Sequence, residues 1–239
     1  MSRIAYVDGV YQPIDIPGIH VEDRGYQFAD GVYEVCAVHN TRLIDEDAHL
    51  DRLERSLAEL GISAPMSRAA MKIVVRETLA RNRIRNGIVY MQVTRGVATR
   101  DHNYPAGLKP VLVVTARHTN PARRASVLRD GISVVTVPDQ RWARCDIKSI
   151  SLLPNVLARQ TAKEKGVQEA WQVAADGLVT EGAATNAWIV DSAGILRTSP
   201  ANGGILNGIV RQSIIGLLGD LDLKFEERAF SVEEALAAR

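Results

Sequence analysis

The sequence is poor in cysteine and contains no long apolar run. Its 239 residues include two cysteines, Cys36 and Cys145, which are too few for a fold held together by disulfides. No window approaches the roughly 18 consecutive apolar residues that a membrane span needs, and the N-terminal residues lack the apolar core of a secretory signal. We therefore expect a cytoplasmic protein that does not act at a membrane.

Neither sign of charge is in excess. The 29 Lys and Arg residues nearly balance the 28 Asp and Glu residues, for a formal net charge of +1, which argues against a nucleic-acid partner because such domains are usually basic. The five histidines and two cysteines show no metal-ligand spacing, and no Gly-x-Ser-x-Gly motif is present. The sequence therefore predicts neither a metal site nor a serine hydrolase.

The first half of the chain has the pattern of an α+β domain. The Asp8-Gly9 pair between two short β-rich segments favours a type I′ hairpin, and further β-rich runs lie at 32–38, 88–94 and 111–115. Two helices are predicted: leucines 50, 53, 57 and 60 share one helical face that ends at Gly61, and a second helix spans about 67–83. We place a small domain at 1–118, followed by a polar linker at 119–125.

The second half, 126–239, is predicted to form a larger domain. An apolar run at 132–137 and a helix at about 154–165 precede short strands separated by glycine turns, which is typical of an antiparallel meander or distorted barrel. Ser231 and Glu234 have capping-box spacing close to the last residue. Because so short a helix is marginal by itself, we expect the natural chain to continue beyond Arg239.

One of the six lysines has unusual surroundings. Lys148 lies among Ile147, Ile150, Leu152 and Leu153, so we expect it to be partly buried. Burial lowers the pKa of a lysine, and the neutral amine is the form that attacks carbonyl groups. From the pattern alone, a structural lysine paired with an acid such as Asp146 remains an alternative, since lysine is rarely buried without a partner.

Three further motifs could bind ligands. The Gly/Asn-rich loop 201–208 opens into an apolar helical pattern, where free backbone amides could hold a phosphate; a simple turn is the alternative. Glu181 is followed by small residues that would let a flat ligand approach, although most such glutamates are only solvated. Arg100 and His102 lie two residues apart and could hold a carboxylate, or could be ordinary loop charges.

Four segments taken together resemble the class IV pyridoxal-phosphate aminotransferases, and within them the D-amino acid aminotransferases. In chain order they are EDRGYQFADGVYE at 22–34, HLDRL at 49–53, RCDIKS at 144–149 and TEGAATN at 180–186. The resemblance covers nearly the whole chain. It implies an α+β, two-domain fold of type IV, with a small α/β domain and a larger domain built on a distorted barrel-like sheet.

The resemblance also implies a site for pyridoxal 5′-phosphate. Lys148 would be the Schiff-base lysine and proton shuttle, and Glu181 the carboxylate at the pyridine nitrogen. Arg52 would bind the phosphate. The other implied cofactor contacts are Asn186, Leu206 and the backbone amides of Ile209 and Val210.

For the substrate carboxylate, the resemblance implies a binding set of Tyr33, Arg100 and His102. The arginine and histidine would reach across from the neighbouring subunit, which implies a homodimer. Four residues depart from the family pattern. Ala29 stands where a glycine is common, Ala183 and Ala184 stand where hydroxyl side chains often occur, and Val210 replaces a threonine near the phosphate.

The reaction implied is a ping-pong transfer of the amino group from a D-amino acid, such as D-alanine, to a 2-oxo acid, such as 2-oxoglutarate. Three alternatives remain open from the sequence. Aminodeoxychorismate lyase shares the fold but eliminates pyruvate, and branched-chain or R-amine aminotransferases generally lack the Arg100-x-His102 pair. A remnant that binds the cofactor without turnover is the third.

Overall fold

The computed structural model describes residues 2–221 and 223–239, without the side chains of residues 123 and 124. It divides into two compact units, Met1–Arg124 with Ile147–Ser151, and Ala125–Asp146 with Leu152–Arg239. The first unit is built around one buried apolar cluster, and the second unit around two. The segment that carries Lys148 belongs to the first unit, although residues of the second unit flank it in the sequence.

The first unit consists of a six-stranded antiparallel sheet and three helices. Its elements are β1 (Ile4–Val7), β2 (Val10–Pro13), α1 (Arg24–Phe28), β3 (Gly31–His39), β4 (Arg42–Leu43), α2 (Glu46–Glu59), α3 (Arg68–Arg81), β5 (Gly87–Thr94) and β6 (Val111–His118). The strand order is β2-β1-β6-β5-β3-β4. The predicted hairpin is confirmed, since both turn residues, Asp8 and Gly9, have positive φ angles of 41° and 105°.

Side chains along β3 and β5 point alternately to the two sides of the sheet, and the two faces differ in burial. Val32, Glu34 and Cys36 are buried on one face, where α2 and α3 pack against the strands. Leu50, Leu53 and Leu57 of α2 lie in this core, as their helical spacing predicts. The opposite face is only half-buried, and it carries Tyr33 together with Tyr90 and Gln92 of β5.

Where the sequence suggested a polar linker at 119–125, the structure has a helix, α4 (Pro121–Asp130). Proline suits a first helical position because its missing N–H needs no partner there. The remaining elements are β7 (Val134–Pro138), α5 (Leu153–Glu164), β8 (Glu169–Val173), β9 (Leu178–Gly182), β10 (Trp188–Val190), β11 (Leu196–Thr198), α6 (Ile209–Leu218), β12 (Phe225–Glu227), β13 (Phe230–Ser231) and α7 (Val232–Leu236).

The second unit has two small sheets, ordered β13-β9-β8-β7 and β10-β11-β12. Of the two arrangements left open by the sequence, an antiparallel meander or a distorted barrel, a simple meander does not describe these sheets, because β7 pairs with β8, and β11 with β12, in parallel. Each parallel pair is joined through a helix, α5 or α6, which supplies the crossover that parallel strands require. The capping box at Ser231 and Glu234 is confirmed at the start of α7.

Within the described residues, no helix is long and apolar enough to cross a membrane. The same residues contain no group of three or more His, Cys, Asp or Glu side chains that could hold a metal ion.

Candidate active site

The first unit contains a buried polar cluster of Glu34, His49 and Arg52, with the carboxylate of Glu34 at its centre. Glu34 of β3 has no exposed surface. It accepts hydrogen bonds from Arg52 Nε at 2.7 Å and Arg52 Nη2 at 2.9 Å, and its Oε2 lies 2.7 Å from His49 Nδ1. His49 and Arg52 are three residues apart on α2, so they meet the strand from the same helical face.

The charges in this cluster compensate one another. Burial alone would raise the pKa of Glu34, but hydrogen bonds from Arg52 and His49, with the charges of Arg52 and Lys148, outweigh it and hold the pKa below its ordinary value. Glu34 is therefore ionised at neutral pH. Its two-point contact fixes the plane of the Arg52 guanidinium.

The segment that carries Lys148 runs beside the start of β3. Tyr33 N–H donates to the Lys148 carbonyl at 3.0 Å, and Lys148 N–H donates to Ser56 Oγ at 3.3 Å. The half-buried Lys148 side chain places Nζ 4.3 Å from the centroid of the Tyr33 ring. Asp146, the candidate partner from the sequence, accepts from Arg144 Nε and Nη2 at 3.0 Å.

The ring beneath Lys148 is held in turn by a second tyrosine. Tyr33 stacks on Tyr90 of β5 with ring centroids 5.6 Å apart. Burial, together with Tyr33, raises the pKa of Tyr90 to about 12, so the Tyr90 phenol keeps its proton at neutral pH. Tyr90 Oη donates to Gln92 Oε1 at 2.7 Å.

Arg100 and His102 lie on an exposed loop of the first unit and share one packing partner. The Arg100 Cζ atom is 4.7 Å from the centroid of the Phe28 ring. The His102 ring lies 5.6 Å from the same ring, centroid to centroid. The structure thus places these two predicted residues side by side on Phe28, whereas Tyr33 lies on β3 beside Lys148.

In the second unit, two predicted residues, Asn186 and Leu206, converge on the carboxylate of a third, Glu181. Glu181, near the end of β9, is 6% exposed. Its Oε2 accepts from Asn186 Nδ2 at 3.0 Å, and its Oε1 accepts from the Leu206 N–H at 3.2 Å. Asn186 also donates to the Leu206 carbonyl at 2.9 Å, so it holds strand end and loop together.

Arg141 is a residue of this site that sequence reasoning missed. It follows β7, forms an ion pair with Glu181, and makes a two-point contact with Asp139 at 3.0 and 2.7 Å. Burial would raise the pKa of Asp139, but bonds from Arg141 and Thr180 outweigh it and lower that pKa. The available signal was an acid and an arginine two residues apart directly after an apolar strand.

The start of helix α6 leaves backbone donors for an anion. Its N-cap residue, Gly208, provides no side-chain cap, and the next two residues are the predicted phosphate contacts, Ile209 and Val210. A Cβ atom at Gly208 would collide with the side-chain oxygen of Asn186, so a larger residue there would force Asn186 to move. Helix N-terminal N–H groups and the helix dipole favour negative charge.

Comparisons with known proteins show which family this chain resembles. Residues 31–239 match the family model for amino-transferase class IV. A D-alanine aminotransferase from Bacillus licheniformis is 43% identical over 221 residues, which cover 92% of this chain and 76% of that protein.

Solved structures show the same fold. The branched-chain amino acid aminotransferase of Escherichia coli superposes with a TM-score of 0.88 at 20% identity, covering 100% of this chain and 81% of the other. A hypothetical aminotransferase from Mycobacterium tuberculosis in its PLP-bound form gives a TM-score of 0.83 at 22% identity, covering 98% and 84%.

Proposed function

This chain belongs to the class IV aminotransferases, and we propose that it moves the amino group of a D-amino acid such as D-alanine to a 2-oxo acid such as 2-oxoglutarate. It is an aminotransferase, and pyridoxal phosphate is its cofactor. The relative that is 43% identical acts, by its name, on D-alanine. The Arg100 and His102 pair supports a carboxylate-bearing substrate.

The residues present fit the chemistry of that cofactor. In the first unit, Lys148 supplies an amine, and Arg52 supplies a guanidinium held by Glu34. In the second unit, Glu181 supplies a buried carboxylate, and α6 supplies a helix N-terminus without a side-chain cap. An aldehyde, a phosphate and a pyridine nitrogen are the groups that such side chains and amides bind.

When bound, pyridoxal phosphate supplies an electron-accepting ring. We assign to Lys148 Nζ the binding of the cofactor and the transfer of the proton at the substrate Cα. Glu181 holds a proton at the pyridine nitrogen, and Asn186 and Arg141 orient its carboxylate by their contacts with its two oxygens. Arg52 and the amides of Ile209 and Val210 hold the phosphate.

Tyr33, Arg100 and His102 orient the substrate carboxylate in this proposal. We further propose a homodimer in which Arg100 and His102 act on the partner subunit's substrate, as the family resemblance implies. A cytoplasmic location is proposed with it, in keeping with two buried cysteines that remain free thiols.

One observation carries the proposal most directly. The Lys148 amine lies over Tyr33, the residue that precedes Glu34 on β3, and Glu34 holds the guanidinium of Arg52 from the buried face. Tyr33 and Glu34 face opposite sides of the sheet, but the charge of Lys148 still acts on Glu34, so the lysine and the arginine lie near one buried carboxylate. An amine and a guanidinium close to each other suit a phosphorylated aldehyde.

The test is chemical trapping of the cofactor on the protein. Borohydride reduction followed by peptide mass spectrometry should find the pyridoxyl group on the Lys148 peptide. Lys148→Ala should abolish it and the amino transfer from D-alanine to 2-oxoglutarate, whereas Lys163→Ala, which changes an exposed lysine of α5, should leave both intact.

The substrate half of the proposal is checked by the visible spectrum of the loaded enzyme. D-Alanine should change that spectrum at far lower concentration than L-alanine does. A preference for L-alanine, or label on a lysine other than Lys148, would contradict the assignment.

A further inference from the structure

A buried arginine holds the backbone of the loop that carries Arg100 and His102. Arg24, the first residue of α1, is 3% exposed. Its Nη1 donates to the carbonyl oxygens of Asp101 at 2.7 Å and Asn103 at 3.4 Å, and its Nη2 donates to that of His102 at 3.2 Å. One guanidinium therefore binds three consecutive carbonyl groups of an exposed loop.

Arg24 is itself fixed on the other side. Its Nε donates to Asp30 Oδ2 at 2.8 Å. Its Cζ atom lies 4.8 Å from the Phe28 ring centroid and 5.5 Å from that of Tyr104, distances at which cation–π attraction operates. The loop is consequently tied to the residues just before β3 rather than to a neighbouring strand.

Phe28 links this anchor to the two side chains of the loop. Arg100 lies over the Phe28 ring, and the His102 ring packs against it. The backbone of the loop and the side chains it presents are thus held by one local assembly, which consists of Arg24, Phe28 and Asp30. Loops held in this way lose less conformational freedom when they bind a ligand.

We propose that Arg24 is a positioning residue for recognition of the substrate carboxylate, which it never touches. By holding the carbonyls at 101, 102 and 103, it keeps Arg100 and His102 in the orientation that binds a carboxylate. The proposal rests on the carboxylate role proposed for those two residues under the function of the chain. A planar guanidinium with five donors can serve three carbonyls and Asp30 together, whereas a lysine ammonium with three donors cannot.

The test compares D-alanine with D-alaninamide, which lacks the carboxylate, using the holoenzyme. Arg24→Gln should raise the KM for D-alanine about tenfold or more, leave kcat unchanged, and leave both constants for D-alaninamide as they are. Arg24→Lys, which retains the charge, should give an intermediate KM. In hydrogen exchange, amides 99–107 should exchange faster in Arg24→Gln.

Arg95 offers a matched control. It is 6% exposed, shares Asp30 Oδ2 at 2.7 Å and lies over Tyr104, but it donates to the carbonyls of Leu60 and Gly61. Arg95→Gln should therefore reduce thermal stability without raising the KM for D-alanine relative to that for D-alaninamide. It should also leave exchange of amides 101–103 unchanged.

Arg100→Ala separates failure of this inference from failure of the proposed function. If Arg100→Ala raises the KM for D-alanine but Arg24→Gln does not, or if Arg24→Gln affects both substrates equally, the positioning role is wrong. If Arg100→Ala changes the KM for D-alanine and for D-alaninamide equally, the proposed carboxylate role of Arg100 is wrong, and the inference about Arg24 is wrong with it. Should Arg24→Gln not fold, Arg24→Lys is judged by the same criteria.

Discussion

Ala29 occupies a backbone conformation that disfavours any residue with a side chain. It is the C-cap residue of α1, with φ 56° and ψ 29° in the left-handed region. Its N–H closes the helix on the carbonyls of Arg24 and Gly25, so the conformation is imposed by the helix end. The glycine that the family commonly has at this position is thereby explained.

Replacing Ala29 with glycine should stabilise the protein. The left-handed conformation costs an L-residue about 1–2 kcal/mol, and the greater freedom of glycine in the unfolded chain cancels about 0.4–1 kcal/mol of the gain. We expect Ala29→Gly to raise the urea midpoint and Ala29→Val to lower it. An unchanged midpoint in both variants would show that the helix end relaxes around Ala29.

Protonation of Glu34 should contribute to the decrease in the free energy of unfolding at acid pH. Because its folded-state pKa lies below the ordinary value of 4.5, its ion pair stabilises the protein above that pH and is lost as the pH falls through the folded pKa. Glu34→Gln leaves Arg52 buried beside a neutral amide, which should cost about 3–5 kcal/mol at pH 7.

Urea unfolding at pH 7 and through the range below pH 4.5 checks this prediction. The gap between parent and Glu34→Gln should narrow in acid. Glu77→Gln, which removes the exposed ion pair with Arg81 on α3, should show a much smaller loss. Parallel curves for parent and Glu34→Gln at every pH would refute the predicted sign of the pH dependence.

At the scale of elements, the end of β7, the end of β9 and the loop at 204–206 are held together by charges. Arg141 lies between the carboxylates of Asp139 and Glu181, and its Nη2 also donates to the Gly204 carbonyl at 3.3 Å. Neutralising this arginine would leave two buried carboxylates facing one another. The elements would then be joined by repelling groups.

Arg141→Gln should therefore destabilise the protein by about 3–5 kcal/mol at neutral pH. The loss should shrink as the pH falls, because the carboxylates then take up protons. Arg141→Lys should recover part of it by restoring the charge without the two-point contact. Free energies of unfolding from urea titrations between pH 7 and the acid range in which carboxylates such as Asp139 titrate test this, and a loss independent of pH over that range would contradict it.

At the scale of the whole molecule, the proposed homodimer predicts that two impaired variants complement each other when D-alanine is well below the KM of Arg100→Ala. If Arg100 acts on the partner's substrate, a hybrid of Arg100→Ala and Lys148→Ala subunits contains one site in which both residues are intact. Random exchange of equal amounts should restore about a quarter of the parental activity. Mixing that restores none, with exchange shown by mass spectrometry, would place Arg100 and Lys148 in the same subunit's site.

The sequence by itself determined most of the local structure and the family. The spacing of the leucines predicted α2, and the preference of Asp-Gly for positive φ angles predicted the hairpin at Asp8-Gly9. Both could be predicted because each signal is contained in a few consecutive residues. The motif around Lys148 was sufficient to single out this lysine. Roles for Lys148 and the other site residues remain predictions, which trapping, substitution and subunit exchange can test.

Only the tertiary structure decided how distant segments pair and which charges meet. The parallel pairing of β7 with β8 depends on a crossover through α5, which the apolar pattern of either strand does not encode. Arg141 meets Glu181, and Arg24 meets the carbonyls at 101–103, across 40 and about 77 positions of the chain. Such contacts are fixed by packing of the whole unit. The sequence contains many arginines, and the partner of each is known only when the fold brings the two residues together.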